Sequence, residues 1–220
     1  MITTKLTIEC RELDTGKLLK KIEQPGRSFL LNFMHGMFGQ FGAGDSAATV
    51  VKDITNTGRT VRSYTGTTMI PCHLGINAPP GNSSLFAATF VSSGGGGQYV
   101  DSELVGIVLG TGNTAVTPAD YKAETRIAHG LAAGQVLYSG CGCDTLTFAD
   151  PNGSFIIRRL FTNVSGGNIT VNEVALYTIM YSQSTTQLGH FCIYRDIIGG
   201  GLAIVNGNVV VVTITVQITV

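Results

Sequence analysis

The sequence has no tryptophan, little charge and no long apolar run. Each lack excludes something. Without Trp, and with seven Tyr dispersed along the chain, there is little from which to build the exposed aromatic platform that sugar-binding sites favour. Charged residues make up 13% of the 220 positions, about half the usual share. A soluble monomer normally coats itself with Lys and Glu to stay apart from its neighbours. A chain this poor in charge is expected to place much of its surface against protein, as an oligomer or lattice subunit. Lys+Arg and Asp+Glu balance at 14 each, which leaves no long-range field to gather nucleic acid or an anionic membrane. Hydrophobic residues reach 44% and mean hydropathy is +0.27, yet no stretch approaches the roughly 18 apolar residues of a transmembrane helix. The opening, Met1 to Thr7, alternates like a strand and lacks the apolar core of a signal peptide. The chain is therefore expected to be made and kept in a cytoplasm until something larger carries it out.

Five cysteines, Cys10, Cys72, Cys141, Cys143 and Cys192, occur without C-x-x-C spacing. Their odd number and a reducing compartment argue against a disulfide framework. Cys141 and Cys143 fall on one face of a strand, but zinc sites prefer two or more intervening residues and four ligands. His73 beside Cys72, and His190 near Cys192, are the other metal-type residues, and nothing in the sequence draws them together. No metal or other cofactor is expected.

What is present is β pattern. A hairpin is predicted from Leu6 and Ile8 through the turn Asp14-Thr15-Gly16-Lys17 to Leu18–Ile22, with Pro25-Gly26 breaking the return strand. One helix is predicted, about 28–41, capped by Ser28. Its apolar stripe holds Phe29, Leu30, Phe33, Met34, Met37, Phe38 and Phe41. Gly36 and Gly39 each weaken it by about 1 kcal/mol but admit a close backbone. A second hairpin is predicted over 49–64. Between 65 and 103 the pattern fades into Pro and Gly chemistry, with short strands at 70–76 and 84–91. Leu104–Leu109 reads as a buried strand, and Thr117-Pro118 opens a helical turn with Thr117 as its cap. Gln135–Phe148 and Ser154–Asn163 read as a long hairpin. In Ile169–Met180 the apolar phase slips between Val171 and Val174, which predicts a β-bulge near Glu173. At the C-terminus Val210, Val212, Ile214, Val216, Ile218 and Val220 line one face of a strand. The expected architecture is mainly β: one antiparallel β-sandwich or jelly-roll-like domain over 1–220, with a hairpin-helix segment (1–45) packed on or beside it.

Catalytic signatures are lacking. There is no G-x-S-x-G elbow or Cys–His signature. Gly110-Thr111-Gly112-Asn113-Thr114-Ala115 has a superficial phosphate-loop look, without the Lys-Ser/Thr ending or the third glycine. Asp101 with Glu103, and Asp120 with Glu124, are acid pairs of a kind that chance supplies. Arg158-Arg159, mid-strand, sends its two side chains to opposite faces and suits pairing between subunits better than phosphate binding.

Three stretches, Gly106–Lys122, Phe161–Tyr177 and Tyr194–Ile198 followed by the Val/Thr strand, together resemble a group of tailed-bacteriophage virion structural proteins. Arg27–Phe33 fits the same group. The resemblance implies a non-enzymatic viral protein of the particle, a capsid decoration (cement) or tail/baseplate component. Its expected partners are other copies of itself, as a homo-oligomer with a trimer as the expected form, and other virion proteins. Nucleic acid and membrane are not expected partners. The alternative is a receptor- or carbohydrate-binding module at the phage tail, with a glycan as ligand. Candidate interface residues are Phe33, Met37, Phe41, Arg158, Val212, Ile214 and Val216.

Overall fold

The computed structural model describes residues 2–26, 29–41, 49–61, 101–144, 146–181 and 188–219. The first hairpin forms as β1 (Ile2–Glu12) and β2 (Leu18–Gly26). A single α-helix, α1 (Leu31–Phe41), follows among the described residues. β3 (Thr49–Lys52) and β4 (Gly58–Val61) make the second hairpin, and β5 (Gly106–Gly110) is buried along its whole length. Then come β6 (Leu137–Cys143), β7 (Thr147–Ala149), β8 (Asn152–Thr162), β9 (Ile169–Tyr181), β10 (Leu188–Ile204) and β11 (Asn208–Thr219).

The described residues are mainly antiparallel β with one helix, arranged as a β-sandwich. The larger sheet runs β2-β1-β11-β8-β6, with β7 pairing β8. The smaller runs β10-β9-β5, and β3-β4 stand apart. Register explains the core. Leu6 lies opposite Ile214, which lies opposite Ile157; Cys10 lies opposite Val210, which lies opposite Phe161. These inward rows meet Ile107, Val171, Phe191, Ile193, Leu202 and Ile204 of the smaller sheet in one continuous core. The last strand, β11, pairs over its length with both β1 and β8.

Several local expectations need correction. Pro25 does not break β2: it stays in register opposite Lys5, which an edge strand tolerates because one side of its backbone has no ladder to complete. The helix starts at Leu31 rather than 28, and the Ser28 cap lies outside the described residues. Leu30 is fully buried before the helix begins, and Phe29 bridges to Tyr194 of β10 as an extended residue. Within α1 the inward positions are Asn32 and Gly36, four apart, while Met34 faces out. Asn32 earns that position by bonding: its amide donates to the Lys52 and Cys192 carbonyls and accepts from the Lys52 N–H, tying helix, β3 and β10 together.

The irregularity near Glu173 is real, but the extra residues belong to β10. Ile197 faces Glu173 and Leu202 faces Val171, so Ile198–Gly201 stand opposite Asn172 alone. Gly200 and Gly201 take φ of +76° and +66° there, where a side chain is disfavoured. In β9 the alternation vanishes because both faces are buried from Glu173 to Thr178. At Thr117 the expected cap is reversed: its N–H and hydroxyl donate to the Asp120 carboxylate. The strands expected at 70–76 and 84–91 lie outside the described residues.

Candidate functional site

The glycine-rich loop after β5 does bind an anion, and the anion is the chain's own. Glu173 of β9 is 0% exposed. Its Oε1 accepts from the N–H groups of Gly112 (3.1 Å) and Thr125 (2.9 Å), and its Oε2 from Glu124 N–H (3.0 Å). The fourth donor is Arg195 Nε of β10, at 2.8 Å. A Cβ at Gly110 or Gly112 would collide with this carboxylate, so those glycines make room for it. Arg195, 2% exposed, also donates through Nη1 to Asp120 (2.6 Å) and through Nη2 to the Thr114 carbonyl (3.2 Å). Glu124 lies 3.7 Å from the same guanidinium and accepts from Asn113 and Thr114.

The acid pair Asp120–Glu124 is thus brought together, but around an arginine. Burial alone would raise the Asp120 carboxyl. The bonds from Thr117 and Arg195 outweigh it, leaving the group below the usual carboxylate range. Glu124 is lowered chiefly by the Thr114 N–H and hydroxyl. Carboxylates held ionised by such bonds make poor general acids or bases, because general catalysis wants a pKa near the working pH. The cluster ties the 110–126 segment to the β9–β10 hairpin.

Arg158 and Arg159 do point to opposite faces. Arg158 is exposed and 3.5 Å from Asp144. Arg159, 1% exposed, faces inward and donates to the carbonyls of Ser139 (2.8 Å), Val105 (2.7 Å), Ile107 (2.9 Å) and Ser102 (2.8 Å). Its guanidinium lies 4.7 Å from the Tyr138 ring centroid. Four carbonyl dipoles and an aromatic face take the place of a counter-ion, and the side chain bridges the two sheets. The acids Asp101 and Glu103 do not form a catalytic pair: Glu103 binds Arg126 and the His129 N–H.

The four described thiols are free, and burial raises each of them, Cys141 to about 11. Reactive cysteines are shifted the other way. Cys141 and Cys143 sit on the larger sheet, His190 and Cys192 on the smaller, and among the described residues no three His, Cys, Asp or Glu converge as metal ligands. Cys143→Ser is expected to stay within about 0.5 kcal/mol of the parent in denaturant melts. Cys141→Ser should cost about 1 kcal/mol, its hydroxyl oxygen accepting from the Ile107 N–H in place of the sulfur. Elemental analysis should find no zinc with parent or variants; one zinc per chain would overturn this reading of the pair.

Of the candidate interface residues, Val212 and Ile214 are 0% exposed and Val216 is nearly buried within the single chain. They face this chain's own core rather than another copy, because the even-numbered face of β11 lies between the sheets. Phe33 is half-buried and stacked on Phe29 at 4.0 Å, Met37 is half-buried, and the Phe41 side chain lies outside the described residues.

Sequence reasoning missed a concave surface among the described residues. Where the inner face of the larger sheet runs past the smaller one, it leaves a groove of about 860 Å³. Phe155, Val216 and Ile218 line it together with Leu146 and Phe148 from around β7, and Asp144 and Asp150 are its charged residues. Phe148 is 79% exposed and Ile218 48%. The signal was available in part: the alternation of β11 continues through Ile218, while none of the described strands of the smaller sheet contributes to the groove lining.

Comparison with known proteins finds no matching family model, no matching curated protein and no matching solved structure.

Proposed function

We propose that this chain is a non-enzymatic structural subunit of a tailed-phage virion, a capsid decoration or tail/baseplate component that works by holding copies of itself and other virion proteins. One observation carries the reading. The buried charged side chains Glu173, Arg195, Arg159, Asp53 and Asp196 are all engaged inside the fold, and the groove at the end of the larger sheet is lined mainly by apolar side chains. Apolar surface of this kind belongs against protein. The low charge of the chain and its resemblance to phage virion proteins support the same conclusion.

The glycan-binding alternative draws on the exposed Phe148 ring with Asp150 and Asn152 beside it. Asn152 weakens it, since its Oδ1 already accepts from Gln217 (2.9 Å) and Thr219 (2.7 Å). Immunogold labelling of intact particles is the test. Gold at regular positions on the head or tail is expected; protein abundant in infected cells but missing from purified particles would overturn the reading.

A further inference from the structure

The β3–β4 hairpin belongs to neither sheet of the sandwich. Val51, fully buried, gives it one foot in the core. Its polar attachments among the described residues are few. Asn32 of α1 holds the backbone of Lys52 from both sides, and the Ile54 N–H donates to the His190 carbonyl of β10 at 2.9 Å. A unit held this lightly opens at a lower free energy than the strands of the two sheets. What happens at His190 therefore bears directly on whether the hairpin stays docked.

The His190 ring sits at that junction. The Leu104 backbone bonds to it. Its Nδ1 is shut away from solvent and is, among the described residues, the one buried side-chain nitrogen or oxygen with no hydrogen-bond partner. A neutral imidazole can live with this, because one of its two nitrogens is only an acceptor. An imidazolium cannot: both nitrogens then carry protons, and the site would bury a charge together with an unanswered N–H. The surrounding charges offer no ready remedy. Asp53 of the hairpin accepts from Thr55, Thr57 and Arg59. From the other side Arg126, bonded to Glu103, opposes a second cation. α1 brings one titratable group, His35, and Ile179 of β9 stands opposite in register. Two residues along β10, the Cys192 thiol is pushed up by burial and stays neutral. Burial of the ring outweighs the help from Leu104 and Asp53, so His190 lies below the ordinary imidazole range.

We propose that His190 is an acid-sensitive latch, which keeps the β3–β4 hairpin docked on β10 while the ring is neutral and releases it when the ring takes up a proton. The docked state disfavours the proton. The contribution of the latch is therefore complete above the ordinary imidazole pKa of about 6.5 and declines as the pH falls below it. Asp53 acts in a separate window. Its carboxyl is held below the usual range by Thr55, Thr57 and Arg59 against the effect of burial, so its share of the docking is lost only below about pH 4.

Nuclear magnetic resonance of the whole chain between pH 8 and 5 tests the latch by two readings on the parent. The His190 ring should titrate with a midpoint below about 6.5. The protection of the Ile54 amide, taken relative to its intrinsic exchange rate at each pH, should fall by about tenfold from pH 7 to 5, the effect of one unit of pKa difference. Over the same range the amides of Val212 and Ile214 in β11 should keep their protection. A third reading uses His190→Gln, whose amide takes up no proton; with circular dichroism confirming its fold, its Ile54 protection should stay level. A ring that titrates at or above the ordinary value would overturn the proposal, as would a level Ile54 profile in the parent. The same loss in folded His190→Gln would overturn it too, by assigning the titration to another group. The first two readings need no substitution, so they decide the matter even where the variant does not fold.

Discussion

Arg195→Met is expected to destabilise the fold by roughly 3–5 kcal/mol, the usual cost of removing one partner from a buried ion pair. Glu173 would remain 0% exposed with three N–H donors and no cation, and Asp120 would lose its 2.6 Å partner. Denaturant melts at neutral pH measure this directly. Arg195→Met with Glu173→Gln should recover part of the loss, because an amide at 173 leaves no buried charge uncompensated. The pH dependence supplies a second signature. Asp120 and Glu124 sit below their ordinary values in the folded chain. The stability they contribute is therefore complete above an unfolded-state pKa of about 4 and is lost as the pH falls through their depressed folded values. Removing Arg195 removes part of what depresses Asp120. The gap between parent and Arg195→Met should narrow on acidification from pH 7 towards about pH 3. A gap that is independent of pH would mean that the guanidinium acts mainly as packing.

The same cluster shows why some of the molecule was legible in the sequence and some was not. Strands buried on one face announce themselves: the alternation through Val210, Val212 and Ile214 specifies β11 whatever it pairs with. Hairpins closed by Asp14–Lys17 or Asn56–Gly58 are equally local. The Glu173–Arg195 pair depends instead on register across β9 and β10 and on a loop more than fifty positions upstream of Glu173. Nothing adjacent in sequence marks Glu173 as a partner of Gly112. The glycine-rich loop reads from its own residues as a turn without a phosphate-binding ending, and the anion it meets lies in another strand. Where both faces are buried, as in β9, periodicity disappears and the slip at Val171–Val174 has a cause other than a bulge in its own strand. The groove was hidden for a related reason: alternation says which residues face inward, and how far the opposite sheet reaches is a property of the whole topology.

That topology gives β11 its weight. Deleting residues 209–220 is expected to abolish soluble folding. β11 lies between β1 and β8 and pairs with both along its length. Its loss removes two ladders at once and leaves β1–β2 with no strand to join them to the rest of the sheet. Val210, Val212, Ile214 and Val216 are buried, and each contributes roughly 1.5–3 kcal/mol by its burial. Together that is about 6–12 kcal/mol, comparable with the whole net stability of about 5–15 kcal/mol for a domain. The exposed inner edges of β1 and β8 would carry Leu6, Ile8, Ile157 and Phe161 into solvent beside unpaired backbone, a template for aggregation. The deletion should therefore partition into the insoluble fraction on expression. A milder change probes the core alone: Ile214→Ala should cost about 2–5 kcal/mol and lower stability without changing the oligomeric state of the folded fraction. A truncated chain that stayed soluble, gave a strand-rich dichroism spectrum and entered particles normally would remove β11 from the centre of the sandwich.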